Sequence, residues 1–296
     1  MKSNIISSTF VALLVIGFSS CSEETPMTGT TQAEGRPQMQ FSFNMSGTRV
    51  TDTAFENGDK VGLFVNESSS PLEIAGNTVN NEMMTLTGTE WEPTRQLYWD
   101  KGAYDATAYY PFMEDVSSIS DLPFSVATDQ SADTSALGLS GYEASDFLYA
   151  SVKGIEAQAT PVSMTFSHIM SKISIRLIKG EDFEGDMPEK AIVYLHNTVT
   201  DATIDLSAGV VTKDVKATGK TITACPAGND TYTAIVVPQR LENRVPLIEV
   251  IMNGVSYLYE SKFLFKPGVH HSVNLVVDKN PEQLKIEIGG EIVGWN

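Results

Sequence analysis

Leu247-Ile248-Glu249-Val250-Ile251-Met252-Asn253-Gly254-Val255-Ser256-Tyr257-Leu258-Tyr259 decides the fold class. Two runs rich in β-branched and aromatic residues flank Asn253-Gly254, a pair that tolerates the positive φ angles of a two-residue turn between twisted strands. The segment therefore reads as a hairpin, Leu247–Met252 against Val255–Tyr259. Pro267-Gly268 turns the chain again into Val269–Val277, where Val269, His271, Val273, Leu275 and Val277 share one face. A last strand carries Leu284, Ile286 and Ile288, breaks at Gly289-Gly290 and resumes towards Ile292 and Trp295.

The same period-two alternation runs back through the chain, and helical periodicity is scarce. Phe41, Phe43 and Met45 alternate with Ser42 and Asn44. Val61, Leu63 and Val65 follow the turn pair Asn57-Gly58. Tyr104, Ala106, Ala108 and Tyr110 end at Pro111. Met164 and Phe166 occupy even positions, whereas Ile173, Ile175 and Leu177 occupy odd ones, and a parity switch of that kind requires a bulge or bend at Ser167–Lys172. Many short strands with frequent turns indicate an all-β chain of two β-sandwiches in tandem. The N-terminal sandwich is expected over residues 41–161 and the C-terminal one over 162–296, with the boundary near Thr160-Pro161.

Residues 1–20 read as an address. Lys2 precedes a mostly apolar segment, Ile5–Phe18, and small residues lead to Cys21. Phe18-Ser19-Ser20-Cys21 resembles a bacterial lipobox, with Phe18 where leucine is usual, so Cys21 is the expected acylation site and cleavage falls just before it. Acyl chains such as palmitate bury about 0.8 kcal/mol per methylene and hold a protein on a membrane without spanning it. Ser22-Glu23-Glu24 resembles the acidic signal that sends lipoproteins to the cell surface in one group of Gram-negative bacteria. Residues 21–40, rich in Thr, Gly, Glu and Pro, read as a flexible tether.

Composition narrows the function. The chain has 296 residues, with 20 Lys+Arg against 37 Asp+Glu, a formal net charge of −17. A surface so acidic repels phosphate backbones, which argues against a nucleic-acid partner. Two cysteines make neither a disulfide scaffold nor a structural zinc site. No nucleophile elbow, phosphate loop, dinucleotide fingerprint or His-Glu-x-x-His occurs. His270 and His271 point to opposite faces of a strand, and all four histidines (His168, His196, His270 and His271) are expected at surface or turn positions. Cys225 is expected to be a buried small hydrophobe. Glu181–Asp186 lacks the alternate-oxygen spacing of a calcium loop and reads as a solvated acidic turn. No catalytic, cofactor or metal residue is assigned, and the chain is expected not to be an enzyme. Trp91, Tyr98 and Trp99 would form a sugar platform if exposed, and core packing if buried.

Ordered fragments then carry a resemblance. Thr48-Arg49-Val50 is followed by Phe55-Glu56-Asn57-Gly58-Asp59-Lys60-Val61-Gly62-Leu63-Phe64, Tyr109-Tyr110-Pro111-Phe112 and Asp146-Phe147-Leu148-Tyr149-Ala150. Phe166-Ser167-His168-Ile169-Met170-Ser171-Lys172-Ile173, Val237-Pro238-Gln239, Phe265-Lys266-Pro267-Gly268 and Ile292-x-x-Trp295 complete the series. In this order they resemble the fimbrillin-type (Mfa-like) lipoproteins, subunits of type V pili. The resemblance implies two transthyretin-like β-sandwich domains, a location on the outer membrane and in a surface fimbria, and assembly with other pilus subunits by strand addition. It also implies adhesion to a ligand on a host or bacterial surface, with no cofactor. Mapped onto this chain, the strand to be removed is Phe41–Met45, the trypsin-like cut is Arg49–Val50, and the donor strand holds Leu284, Ile286, Ile288 and Ile292. Stalk, anchor and tip roles all fit. A surface glycan-binding lipoprotein of β-sandwich type is the alternative.

Overall fold

The computed structural model describes residues 35–45, 54–135, 137–187 and 190–279, together with the backbone of 285–293. Strands make up 55% of the described residues and helix 1%. The alternation that marks each strand is also what assigns its faces, and two separate interiors result.

Seven strands make the first sheet. They are β1 (Phe41–Met45), β2 (Lys60–Glu67), β3 (Val79–Thr87), β4 (Glu90–Pro93), β5 (Ala103–Tyr110), β7 (Leu148–Glu156) and β8 (Val162–His168), in the order β1-β8-β7-β5-β2-β3-β4. On one face Val61, Leu63, Val65, Tyr104, Ala106, Ala108, Met164 and Phe166 build the first core, and Phe41 and Phe43 join it. The opposite face is buried too. Phe64 and Tyr109, the odd-one-out positions of β2 and β5, belong to the second core with Phe147, Ile173, Ile175 and Leu275. A central strand covered on both sides needs a nearly continuous apolar run, and Val61–Val65 supplies one. Gly62 fits between them: a Cβ there would come within 2.2 Å of the Tyr109 ring.

The second half contributes two larger sheets. The five-stranded one holds β14 (Cys225–Pro226), β15 (Thr231–Val236), β9 (Ser171–Lys179), β18 (Val269–Val277) and β19 (Lys285–Val293), in that order. The four-stranded one runs β13 (Lys220–Thr223), β10 (Ile192–Thr198), β16 (Gln239–Met252), β17 (Val255–Phe265). Between them lies the second core, a β-sandwich interior. A small sheet of β12 (Val210–Lys213), β11 (Asp201–Asp205) and β6 (Leu122–Ser125) ties the two halves by hydrogen bonds. The expected hairpin is present: Met252 pairs with Val255, and Asn253 and Gly254 take φ values of 51° and 75°.

The parity switch has a structural cause. Val162, Met164 and Phe166 of β8 face the first core, and Ile173, Ile175 and Leu177 of β9 face the second. Between them Ile169-Met170 carries the chain from one sheet to the other. The change of sheet thus comes after β8, which is hydrogen-bonded within the first sheet.

Substituting Gly62 by Ala forces Tyr109 out of its place or shifts β2. The expected cost is about 1–3 kcal/mol, as for other overpacked cores, read as a lower urea midpoint at unchanged m-value.

Candidate functional site

Two sheet edges and one junction concentrate what the sequence singled out. The first edge is β1. It lies parallel to β8, with Phe41 opposite Val162, Phe43 opposite Met164 and Met45 opposite Phe166. Its other side has no strand partner among the described residues. Phe41 and Phe43 are buried and Met45 is packed against the same core. The Phe41 ring centroid lies 6.1 Å from that of Trp99, and Phe43 meets Trp91 at 5.0 Å and Phe166 at 5.6 Å, both edge to face. Burying each phenyl group is worth about 1.5–3 kcal/mol. Upstream, Met39 N–H donates to Leu97 O (2.9 Å) and Trp99 N–H to Pro37 O (2.8 Å), so residues 37–39 are stitched to 97–99. Arg36 pairs with Asp100 at 2.5 Å. Met45 is the last described residue before Ala54, so Arg49 and Val50 lie outside the described residues, as does Cys21.

The second edge is β19, antiparallel to β18. Ile286 stands opposite Leu275 and Ile288 opposite Val273. The register shifts at Gly289, because Gly290 faces Ser272, and Ile292 then stands opposite His270. Glycine is the residue that accommodates such an extra position at least cost. Leu284 and Trp295 lie outside the described residues.

The junction gathers the fragments that carry the resemblance. His168 Nδ1 and an Asp146 carboxylate oxygen are 2.8 Å apart and buried, and Ile169 N–H donates to Phe147 O (3.2 Å). Lys172 Nζ sits 5.8 Å from the centroid of the Tyr142 ring, a cation–π distance. Gly268 N–H donates to Met170 O (2.8 Å), with φ at 62°, and a Cβ there would lie 3.0 Å from His168 O. Nearby amides clasp backbone that no ladder satisfies. Gln239 accepts from Val199 N–H (2.9 Å) and donates to Val199 O (2.9 Å), and Gln130 exchanges the same pair of bonds with Ile235. These side chains hold strands together where the chain changes sheet, which is a positioning role.

The remaining candidates fall as follows. His168 and His271 are buried, contrary to the expectation of surface or turn positions, because each sits on an inward-facing strand position. His196 is half-buried between Thr221 Oγ1 (2.9 Å) and Glu249 Oε2 (2.8 Å). Cys225 is half-buried rather than interior, since β14 is the outermost strand of its sheet. Within Glu181–Asp186, Glu184 pairs with Lys279 (2.5 Å) and Asp182 N–H donates to Asp278 Oδ1 (3.1 Å). The Lys279 ammonium lowers the Glu184 pKa. Among the described residues no cluster of three or more His, Cys, Asp or Glu could hold a metal ion. Trp99 is fully buried, and Trp91 is wedged against Phe43 and Phe55, so these rings do not build an exposed sugar platform. A groove of about 850 Å³ is lined by serines with Glu73, Asp105 and Lys153, and none of its lining residues is aromatic.

What these elements define is an all-β protein of packed sheets, with β1 and β19 at sheet edges. The sequence pattern of the fimbrillin-like family matches residues 48–295, and this chain belongs to that family. Among solved structures it is similar to a candidate cell adhesion protein from Bacteroides uniformis, at 18% identity, covering 89% of this chain and 99% of the other, with a TM-score of 0.68. A second such protein, from Bacteroides ovatus, is 19% identical over 86% of this chain and 96% of its own, with a TM-score of 0.64. The tip fimbrial protein Mfa3 from Porphyromonas gingivalis, with a C-terminal truncation, is 7% identical over 80% and 95%, at a TM-score of 0.51. No curated protein matches the sequence.

The partner strand β8 escaped the reading of β1, although Val162, Met164 and Phe166 repeat the spacing of Phe41, Phe43 and Met45. Every alternating strand has that spacing, so it did not single out β8. Replacing Phe43 by Ala in the uncut chain is expected to cost about 3–5 kcal/mol. Asn44→Ala, on the exposed side of the same strand, should stay within about 0.5 kcal/mol. Urea unfolding of both variants checks the contrast.

Proposed function

We propose that this protein is a structural or adhesive subunit of a bacterial surface pilus, lipid-anchored in the outer membrane through Cys21 until it is cut at Arg49–Val50, and assembled by exchange of β-strands. The observation that carries the reading is the state of β1. It is a five-residue edge strand whose two phenylalanines fill a groove between β8 and the Trp91 and Trp99 rings. A strand this short has no stability of its own, so its place is defined by the groove it fills. Cleavage at Arg49–Val50 would separate it covalently from the body and let it leave. The vacated groove then offers free backbone groups and apolar pockets to an incoming strand.

The incoming strand in this proposal is Leu284–Trp295 of another subunit, with Leu284, Ile286, Ile288 and Ile292 as its anchors. Its position at a sheet edge, with a break at Gly289-Gly290, suits a segment that must detach. Two transthyretin-like domains and a tether over 21–40 complete the picture. Each partner is another pilus subunit, and an adhesion ligand on a host or bacterial surface would be met by the body. No step requires a cofactor or bond-making chemistry by the folded chain.

Purified protein should form ladders that resist SDS only after limited trypsin treatment, and removal of Leu284–Trp295 should abolish them. Edman sequencing of the ladder bands should begin at Val50. A start before Phe41, or ladders that persist without the C-terminal segment, would overturn strand exchange. Loss of palmitate labelling in Cys21→Ser tests the tether separately.

A further inference from the structure

The long hairpin of the second half leaves one strand paired on a single side. β17 bonds to β16 and, among the described residues, to no other strand, so it closes the four-stranded sheet as an edge of 11 residues. Edges of this length are usually short, covered or bulged, because their outer N–H and C=O groups template pairing with another chain. Burial alternates along β17. Tyr257 and Phe265 are buried, whereas Leu258, Glu260, Lys262 and Leu264 are exposed, the two leucines at 44% and 39%.

Four of the exposed side chains of β17, those of Leu258, Glu260, Lys262 and Leu264, are symmetric about Ser261. Glu260 and Lys262 flank it directly, and Leu258 and Leu264 lie farther out at equal spacing. An antiparallel partner of identical sequence, centred on Ser261, therefore sets Glu260 opposite Lys262 and Leu258 opposite Leu264. Two-fold symmetry makes each pair occur twice. The inward face matches as well, with Tyr259 opposite Phe263 and Tyr257 opposite Phe265. Opposite charges and apolar side chains directly across an antiparallel pair are the contacts that stabilise it. Charges that serve only to keep an edge unpaired work best with one sign, since like charges repel a second copy. Here the signs are opposite and placed to attract it.

We propose that β17 is a self-recognition edge, through which two copies of this chain join antiparallel with Ser261 on the two-fold axis, merging their four-stranded sheets into one. The contact uses neither β1 nor β19 and is independent of strand exchange. A single strand pair buries less than the roughly 1,200 Å² of a standard stable interface, so the dimer is weak and reversible.

Sedimentation velocity of the full chain at low salt, across a wide concentration range, tests this. A monomer–dimer equilibrium is expected. Glu260→Lys sets Lys against Lys at both charge pairs and should weaken dimerisation at least about tenfold, equivalent to about 1.4 kcal/mol. Lys262→Glu should do the same, and the double reversal E260K/K262E should restore the dimer with inverted polarity. Arg244 Nε lies 3.6 Å from Glu260 within one copy, so a melting curve for each variant separates loss of fold from loss of pairing. A chain that stays monomeric throughout overturns the proposal. So does a dimer indifferent to single reversals, or one that the double reversal fails to rescue.

Discussion

A β-strand satisfies its backbone only through neighbours, and this protein is arranged around where that supply of neighbours stops. At β1 the ladder is one-sided: five residue pairs with β8, and nothing opposite among the described residues. The strand stays because Phe41 and Phe43 are clamped by tryptophan and phenylalanine rings, so side-chain packing does what hydrogen bonding on that side does not. β19 presents the same situation at the other end of the chain, and β17 presents it in the middle. The junction residues His168, Asp146, Gln239 and Gln130 are the converse, spent on satisfying polar groups where no edge can be tolerated.

Much of this was written locally in the sequence. The Asn253-Gly254 hairpin, the alternation of Val61, Leu63 and Val65, and the face shared by Val269, Val273 and Leu275 follow from turn chemistry and period alone. The parity difference between Phe166 and Ile173 was also legible, although its meaning was larger than a bulge: the chain changes cores there. What stayed hidden is non-local. Both parallel pairings, β1 with β8 and β9 with β18, join segments far apart in sequence, and nothing in a strand's own pattern names a distant partner. Phe64 and Tyr109 read as outward positions because the second core that covers them is built from later strands. The burial of His168 and His271 was missed for the same reason, since a histidine's surroundings are set by what packs on it.

The two interiors explain why three fragments scattered along the chain meet in space. Asp146-Phe147, His168-Ile169-Met170 and Pro267-Gly268 all converge where β8 hands over to β9.

While β1 fills its groove, its parallel sense to β8 also governs how the molecule answers a pull. Tension entering at the Phe41 end of β1 and leaving β8 through His168 acts at opposite ends of the paired region. All five rungs are then strained together in shear, whereas an antiparallel neighbour would let them open one at a time like a zip. The load passes covalently through Ile169-Met170 into β9, whose own parallel neighbour β18 holds β19. One continuous stretch, Val162–Lys179, thus works as a tendon between the two ends of the fold.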